Sequence, residues 1–148
     1  MTAYYLDTNI FLNVIYREEG FYEKSRDLLQ KIHDHEYQAL TSSITLLEVL
    51  LDMAESGFAE LTDKALASIE DIQNLDLVSL DNVMTKQAAA YVIGDNLTIH
   101  DAYHLSTALC RKAKAFITRD GDLQKKIKRY IKTITPEEAS NHHSRIRA

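Results

Sequence analysis

The stretch YYLDTNIFL, residues 4–12, changes character at one acidic residue. A short apolar run with the length of a strand ends at Leu6, Asp7 follows it, and apolar residues resume at Ile10. Asp, Thr and Asn are all preferred at helix N-caps, so the sequence DTN is also typical of an ordinary helix start. Asp7 therefore points to a function only if further acids stand at similar junctions between strands and helices.

Apolar runs of strand length recur along the chain and alternate with longer segments of helical spacing, such as the one from Tyr22 to Ile32. The order is strand, two helices, strand, two helices, strand, two helices, strand, helix and strand. Strands that alternate with helices and are apolar on both sides predict an α/β fold with a parallel sheet covered on both faces. The predicted strands are residues 3–6, 38–41, 77–80, 115–118 and 130–134.

Length and composition are those of an ordinary globular protein. The 148 residues suit one domain, over residues 1–136, followed by a polar and mobile tail over residues 137–148. No apolar run approaches the ~20 residues of a membrane span, and no secretory signal is evident. Cys110 is the single cysteine, so an internal disulfide is excluded. These features predict a cytoplasmic protein.

Glu48 lies in the apolar segment SSITLLEVL, residues 42–50. A carboxylate inside such a run needs a partner if it is buried. Two other interpretations stay open from the sequence. Glu48 could belong to a solvated stripe with Asp52 and Glu55, or it could complete a capping box in which Thr45 is the N-cap.

Asp101 lies in the segment HDAYHLSTAL, residues 100–109, in the first turn of a predicted helix. Thr98 and Asp101 fit a capping box, and acids are favoured near helix N-termini. His100 and His104 have the spacing at which two histidines can share a metal ion, but no glutamate separates them as in the metalloprotease helix. A zinc site is therefore not predicted, because its ligand pattern is incomplete.

Asp120 and Asp122 follow a predicted strand in the segment ITRDGDL, residues 117–123. Two acids this close repel each other unless a cation or a helix cap compensates their charge. A turn at Gly121, with one of the two acids as the cap of the next helix, explains one acid better than it explains both.

The four segments share one placement. Asp7 and Asp120 follow strands, while Glu48 and Asp101 lie in helices that follow strands or loops. In a parallel sheet such positions can converge at the carboxyl edge, which is where α/β folds bind ligands. Clustered carboxylates repel strongly unless cations neutralise them, and their hard oxygen atoms favour Mg²⁺ or Mn²⁺.

The positive charge of the chain is concentrated in one segment. The formal net charge is −5, yet residues 111–132 hold nine of the 17 Lys and Arg residues and only two acids. Such a segment could guide a polyanion toward cations bound nearby. A solvated helix face that keeps the protein soluble would explain the same charges.

The four acidic motifs stand in the order found in PIN domains, and the chain resembles this nuclease fold of VapC-type toxins and related prokaryotic ribonucleases. The resemblance implies a PIN-like three-layer α/β/α sandwich with a central five-stranded parallel sheet and an acidic pocket at its carboxyl edge. Tyr103 and His104 are bulkier than the commonest pattern of the family. The motifs are LDTN with Asp7, SSITLLEVL with Glu48, HDAYHLSTAL with Asp101 and ITRDGDL with Asp120.

The resemblance also implies roles for individual residues. The catalytic acids, which would bind one or two Mg²⁺ or Mn²⁺ ions, are Asp7, Glu48, Asp101 and Asp120, with Asp122 as an additional metal ligand. Asn9 and Thr118 would support these acids. In the basic segment, the candidates for RNA binding are Arg119, Lys125 and Lys126.

The function implied is a metal-dependent ribonuclease, an endonuclease rather than an exonuclease, that hydrolyses RNA with metal-activated water. The protein would be the toxin of a type II toxin-antitoxin pair, would bind a cognate antitoxin, and would form a homodimer. One alternative is a noncatalytic PIN-fold module that binds RNA or protein. Another is a phosphotransferase of the haloacid dehalogenase type, but its motif requires a second aspartate where this chain has Asn9.

Overall fold

The fold is a single parallel sheet with helices on both faces. The computed structural model describes residues 3–147, and side chains are described for residues 3–144. Residues 1 and 2 of the predicted domain and residue 148 of the predicted tail lie outside the described residues. The strand order is β3-β2-β1-β4-β5, and every neighbouring pair is parallel. The strands are β1 (Tyr4–Leu6), β2 (Ala39–Ser42), β3 (Leu75–Val78), β4 (Ala115–Ile117) and β5 (Thr133–Ile134).

The helices follow the predicted alternation, with one more helix after the last strand. A short 3₁₀ turn, Ala59–Leu61, precedes the fourth helix. The predicted fold class, an α/β/α sandwich around five parallel strands, is confirmed. The helices are α1 (Thr8–Ile15), α2 (Tyr22–His33), α3 (Ser43–Glu55), α4 (Thr62–Glu70), α5 (Asn82–Asp95), α6 (Ile99–Cys110), α7 (Gly121–Ile127) and α8 (Pro136–Arg147).

Two strands differ from their predicted positions because other contacts compete with strand pairing. β3 ends at Val78 rather than at residue 80, since Asp81 accepts a hydrogen bond from the N–H of Met84 and starts α5, and it begins at Leu75, which pairs with Ala39 of β2. β5 is only Thr133–Ile134, because the preceding chain turns: the N–H of Tyr130 donates to the carbonyl oxygen of Ile127 over 2.9 Å.

The strand order reverses beside β1. The chain runs outward from β1 to β2 and β3, then returns to place β4 on the other side of β1. Leu6 is in register with Ile117, and the N–H of Asp7 donates to the carbonyl oxygen of Ile117 over 3.0 Å. The residues that follow β1 and β4 therefore leave the sheet side by side, at the position where ligands bind in open α/β sheets.

The core has two layers, one on each face of the sheet. Successive side chains of a strand point to opposite faces, so Tyr4 and Leu6 pack into one layer and Tyr5 into the other. All three are fully buried, and Tyr5 stacks on Phe116 of the neighbouring strand with ring centroids 4.9 Å apart. Burial on both faces explains why β1 has no polar residue before Asp7.

The segment predicted as a mobile tail is a helix, α8, over Pro136–Arg147. Pro136 occupies its first turn, where a missing N–H costs nothing, and two acids follow. Ala139 is buried in the same core layer as Tyr4, whose hydroxyl lies 3.0 Å from Nδ1 of His142. The polar composition hid this helix because a small alanine provides much of its buried face. No helix in residues 3–147 is long and apolar enough to cross a membrane.

Candidate active site

Asp7 lies at the carboxyl edge of the sheet, and its carboxylate accepts hydrogen bonds from three residues. Asp7 is 6% exposed. Oδ1 accepts a hydrogen bond from the N–H of Thr8 over 2.8 Å, which caps α1. Oδ2 accepts from Oγ1 of Thr118 over 2.7 Å and from Nδ2 of Asn9 over 3.3 Å. The interpretation of Asp7 as a helix cap is therefore correct, and the same carboxylate is also fixed from β4.

Thr118 and Asn9 bind each other as well as Asp7. Nδ2 of Asn9 donates to Oγ1 of Thr118 over 3.2 Å, and Oγ1 of Thr118 also accepts from the N–H of Asp120 over 3.0 Å. Thr118 is fully buried. Both residues therefore lie where they could support Asp7 as the resemblance implies, because both donate to its Oδ2; Thr118 is buried and Asn9 is partly exposed.

Glu48 reaches this edge from α3. The N-cap of α3 is Ser42, whose hydroxyl accepts from the N–H of Ile44, so the capping box with Thr45 is wrong. The stripe of solvated acids is also wrong in part, since Asp52 accepts a hydrogen bond from the hydroxyl of Tyr16 over 2.5 Å. The side chain of Glu48 is 24% exposed and directs Oε1 to a histidine.

That histidine, His104, is the residue that sequence reasoning missed. It is 1% exposed, with Nε2 lying 2.5 Å from Oε1 of Glu48 and 3.5 Å from Oδ1 of Asp7. Its Nδ1 lies 2.6 Å from the hydroxyl of Tyr5. Burial disfavours the imidazolium, but the charges of Asp7 and Glu48 outweigh this effect and raise the pKa of His104. The only available signal was a histidine among the apolar residues of a helix, three positions after Asp101.

Asp101 enters from the first turn of α6. Its N–H donates to Oγ1 of Thr98 over 3.1 Å, so Thr98 is the N-cap as predicted. Burial raises the pKa of Asp101, and the negative charges of Asp7 and Asp120 raise it further. Carboxylates from three separate segments of the chain therefore act on one another electrostatically at this edge.

Asp120 caps α7, and its carboxylate is more exposed than that of Asp7. Oδ1 accepts from the N–H groups of Asp122 and Leu123 over 3.0 and 3.1 Å. Asp122 is exposed in the first turn of α7, and its charge is not among the causes that shift the pKa of Asp101. The metal-binding role of Asp122 stays a prediction with less support than that of Asp120.

The donor set has the chemistry of a divalent-cation site, because hard carboxylate oxygens suit Mg²⁺ and Mn²⁺. Among the described side chains, however, no group of three or more His, Cys, Asp or Glu residues is arranged so that it could enclose an ion. Mg²⁺ usually keeps several waters and takes one or two carboxylates directly. The residues therefore fit a hydrated ion with few direct carboxylate ligands, and they do not fit a closed protein cage.

The basic candidates differ in availability. Lys125 and Lys126 are exposed on α7. The side chain of Arg119 is 10% exposed. Its Nε donates to Oδ1 of Asn13 over 2.6 Å, and its Nη1 lies 2.8 Å from Oε1 of Glu137. Because its guanidinium connects α1 to α8, Arg119 is less available than the two lysines, and its role in RNA binding stays a prediction with less support than theirs.

Comparison with known proteins adds a family and a fold. The model of the PIN domain family matches residues 4–129. No curated protein matches the chain significantly. One similar structure is a toxin-antitoxin complex from Klebsiella pneumoniae, 21% identical with a TM-score of 0.62, which covers 91% of this chain and 98% of that chain.

Two further structures have the same fold. VapBC2 from Rickettsia felis, bound to a DNA fragment from its promoter, is 19% identical with a TM-score of 0.67 and covers 90% of this chain and 98% of that chain. VapC20 from Mycobacterium tuberculosis, described as a toxin that cleaves the sarcin-ricin loop, is 13% identical with a TM-score of 0.70 and covers 83% of this chain and 94% of that chain.

Proposed function

Because the chain belongs to the PIN domain family, we propose that it is a metal-dependent ribonuclease that hydrolyses RNA phosphodiester bonds with metal-activated water. The observation that carries this proposal is the placement of Asp7. Its carboxylate is buried beside the strand-order reversal, and Asp101 and Asp120 act on the same small volume. A concentration of negative charge at a ligand-binding edge is what a divalent cation would offset.

The proposed mechanism assigns a task to each acid. Asp7 and Asp101 would hold the ion, and Thr118 keeps Oδ2 of Asp7 in place. Glu48 would orient the attacking water, and Asp120 would hold a second ion or a ligating water. When bound, the ion would supply a Lewis acid that lowers the pKa of water and stabilises charge on the phosphoryl oxygens.

RNA is the proposed substrate, with Lys125 and Lys126 as contacts to its phosphates. Both residues are exposed in the last turn of α7, the short helix whose first turn Asp120 caps. Phosphate contacts of this kind position a nucleic acid without reading its sequence. Endonucleolytic cleavage and a cytoplasmic location belong to the same proposal.

The proposal is tested with matched RNA and DNA oligonucleotides labelled at one end. We expect internal cleavage of RNA in Mg²⁺ or Mn²⁺, loss of cleavage with a chelator, and recovery when the ion is restored. Faster cleavage of DNA would overturn the choice of substrate. RNA that is bound but not cut under every metal condition would support the noncatalytic module instead.

We further propose that the protein is the toxin of a toxin-antitoxin pair. The similar structures include toxin-antitoxin complexes, which supports an antitoxin as the partner. A clustered set of carboxylates suits an arginine from such a partner, because guanidinium and carboxylate groups form strong paired hydrogen bonds. Co-purification of the protein with the product of an adjacent reading frame would test this, and an arginine-to-alanine change in that partner should restore nuclease activity.

A homodimer is proposed from the apolar side chains that α5 and α6 leave in solvent. Val83 is 61% exposed, Ile93 86% and Ile99 63%. Ile93 and Ile99 line one groove between the two helices, and exposed apolar residues that share a groove are typical of an interaction surface. Light scattering should give twice the mass of one chain, and Ile93→Glu should give a monomer. A wild-type monomer at high concentration would contradict the proposal.

A further inference from the structure

His104 contacts both the core and the acidic edge. On one side its Nε2 lies 2.5 Å from Oε1 of Glu48, and on the other its Nδ1 lies 2.6 Å from the hydroxyl of Tyr5. Its ring is 1% exposed and lies edge-on to that of Tyr5, with centroids 5.7 Å apart. A histidine held this way has little freedom to rotate, because both ring nitrogens already have partners.

The direction of the hydrogen bond to Glu48 is fixed in either charge state of the ring. A neutral imidazole that accepts the hydroxyl proton of Tyr5 at Nδ1 must carry its own proton at Nε2. An imidazolium carries protons on both nitrogens, and the Tyr5 oxygen then accepts. In both cases Nε2–H donates to Oε1 of Glu48, which as a carboxylate can only accept.

Glu48 would otherwise have several orientations. Its side chain has three rotatable bonds and is 24% exposed. Its Oε2 lies 3.9 Å from Nδ1 of His100, a histidine at the rim of the site. Of the contacts that the Glu48 carboxylate makes with His100 and His104, the contact with His104 is the shorter and the more buried. It therefore decides which Glu48 oxygen, Oε1, stays bound to the buried histidine and which, Oε2, is left at the rim.

We propose that His104, oriented by Tyr5, is a positioning residue for Glu48. Its hydrogen bond keeps Oε1 of Glu48 bound to His104, so that Oε2 is the oxygen that Glu48 presents to water or to a cation. This inference rests on the proposed function, since it explains how Glu48, one of the acids of that site, is oriented. His104 itself touches neither substrate nor ion.

The first test compares three variants. His104→Phe removes the donor, Tyr5→Phe removes only the hydroxyl that orients it, and His104→Gln retains an N–H of similar reach. We expect His104→Phe to lower kcat and Mn²⁺ affinity about 10- to 100-fold, as is usual when the hydrogen-bond partner of a metal-site carboxylate is lost. Tyr5→Phe should act in the same direction by a smaller factor, His104→Gln should recover part of the loss, and KM for RNA should stay unchanged.

Tyr103→Phe is the matched control. Tyr103 precedes His104, but its hydroxyl donates to Oγ1 of Thr85 over 3.2 Å on the surface. Removing this hydroxyl should change neither kcat nor Mn²⁺ affinity. Equal losses in Tyr103→Phe and Tyr5→Phe would mean that the effect of Tyr5 comes from general loosening of the fold, which would overturn the proposal.

A double-mutant cycle separates positioning from support of the fold. Once Glu48→Ala has removed the carboxylate, His104→Phe should cause a much smaller loss of kcat than it causes in the wild type, because only the longer contact of Nε2 with Oδ1 of Asp7, 3.5 Å, is then left to lose. Losses that multiply would overturn the proposal. If His104→Phe does not fold, as judged by circular dichroism, Tyr5→Phe and His104→Gln are combined with Glu48→Ala in the same way.

The outcome for the positioning role stays separate from the outcome for ribonuclease activity. If the wild type cuts no RNA with any ion, the proposed function fails, and the positioning role is then read from Mn²⁺ titrations and from crystal structures of Tyr5→Phe and wild type. A displaced Glu48 carboxylate in the variant supports the role of His104. An unchanged Glu48 position in both structures overturns it.

Discussion

Asp7 and Asp120 stand at equivalent places on two neighbouring strands, yet their surroundings differ. Both follow a parallel strand and both cap the next helix. Asp7 is 6% exposed and its carboxylate also binds Thr118 and Asn9. Asp120 is exposed, and the described hydrogen bonds of its carboxylate go to the N–H groups that it caps. The comparison teaches that capping a helix and serving a site are compatible roles, and that contacts beyond the cap identify the second role.

The strongest way to break this comparison is Asp7→Asn. Asparagine caps helices as well as aspartate does, so α1 should survive while one charge of the site is lost. We expect RNA cleavage to fall about a thousandfold, which corresponds to ~4 kcal/mol of transition-state stabilisation. Single-turnover cleavage measures the effect, with the unfolding transition as a control for the cap. Undiminished cleavage that still requires metal would show that Asp7 is not a ligand.

Asp120→Asn should have a smaller effect on the same assay. Because Asp120 is exposed and lacks the buried contacts of Asp7, we expect a loss of about a hundredfold rather than a thousandfold. Asp120→Ala should add a fall of about 1 kcal/mol in the free energy of unfolding, since alanine cannot cap α7. Equal losses of cleavage for Asp7→Asn and Asp120→Asn would remove the distinction drawn from burial.

Thr118→Val sharpens the comparison because it leaves both carboxylates in place and removes only a hydroxyl. Valine keeps the volume of the residue that follows β4, but it removes the hydroxyl that donates to Oδ2 of Asp7 over 2.7 Å and accepts from the backbone N–H of Asp120 over 3.0 Å. We expect Mn²⁺ affinity to fall about tenfold by isothermal titration calorimetry, at the low end of such effects because Asn9 still holds the same oxygen. Unchanged affinity would mean that the cap alone is sufficient to place the carboxylate.

The smallest expected effect is a change in stability on substitution of Asp101, whose pKa is raised by both Asp7 and Asp120. Its pKa is raised in the folded protein by burial first and then by Asp7 and Asp120. A carboxylic acid with a raised pKa binds more protons when folded than when unfolded, so it costs stability once the pH rises through its folded pKa. Asp101→Asn should therefore raise the melting temperature of the metal-free protein at neutral pH.

The pH dependence of that gain provides the control. Below the usual pKa of an aspartate both states are protonated, so the advantage of Asp101→Asn should disappear there. Differential scanning calorimetry across this range, with a chelator present, measures the difference. A gain that is independent of pH would show that the effect comes from packing and not from charge.

Much of the fold and the location of the acids follow from the sequence because they depend on local patterns. The strand ending at Leu6 and the acid after it can be read from a few neighbouring residues. The roles of the acids stay predictions, although Asp7, Thr118 and Asn9 lie together as expected. Periodicity alone placed neither β3 nor β5 correctly, since helix caps and turns compete with short strands at their ends.

The parts that could not be predicted depend on contacts between distant segments. His104 lies three residues after Asp101, but its partners Tyr5 and Glu48 are brought to it only by the strand order. Arg119 belongs to a basic segment in the sequence, yet Asn13 and Glu137 bind its side chain. A residue type at a given spacing does not reveal such partners.

α8 determines when, during synthesis of the protein, the acidic edge can gain all of its supporting contacts. Glu137 of α8 binds Arg119, whose backbone N–H donates to Oδ1 of Asn9 over 3.3 Å, and Asn9 in turn binds Asp7. Tyr4 similarly meets His142, 138 positions later. A nascent chain on the ribosome lacks these contacts until α8 has left the exit tunnel, so the acidic edge acquires its full support only after residues 136–147 have emerged.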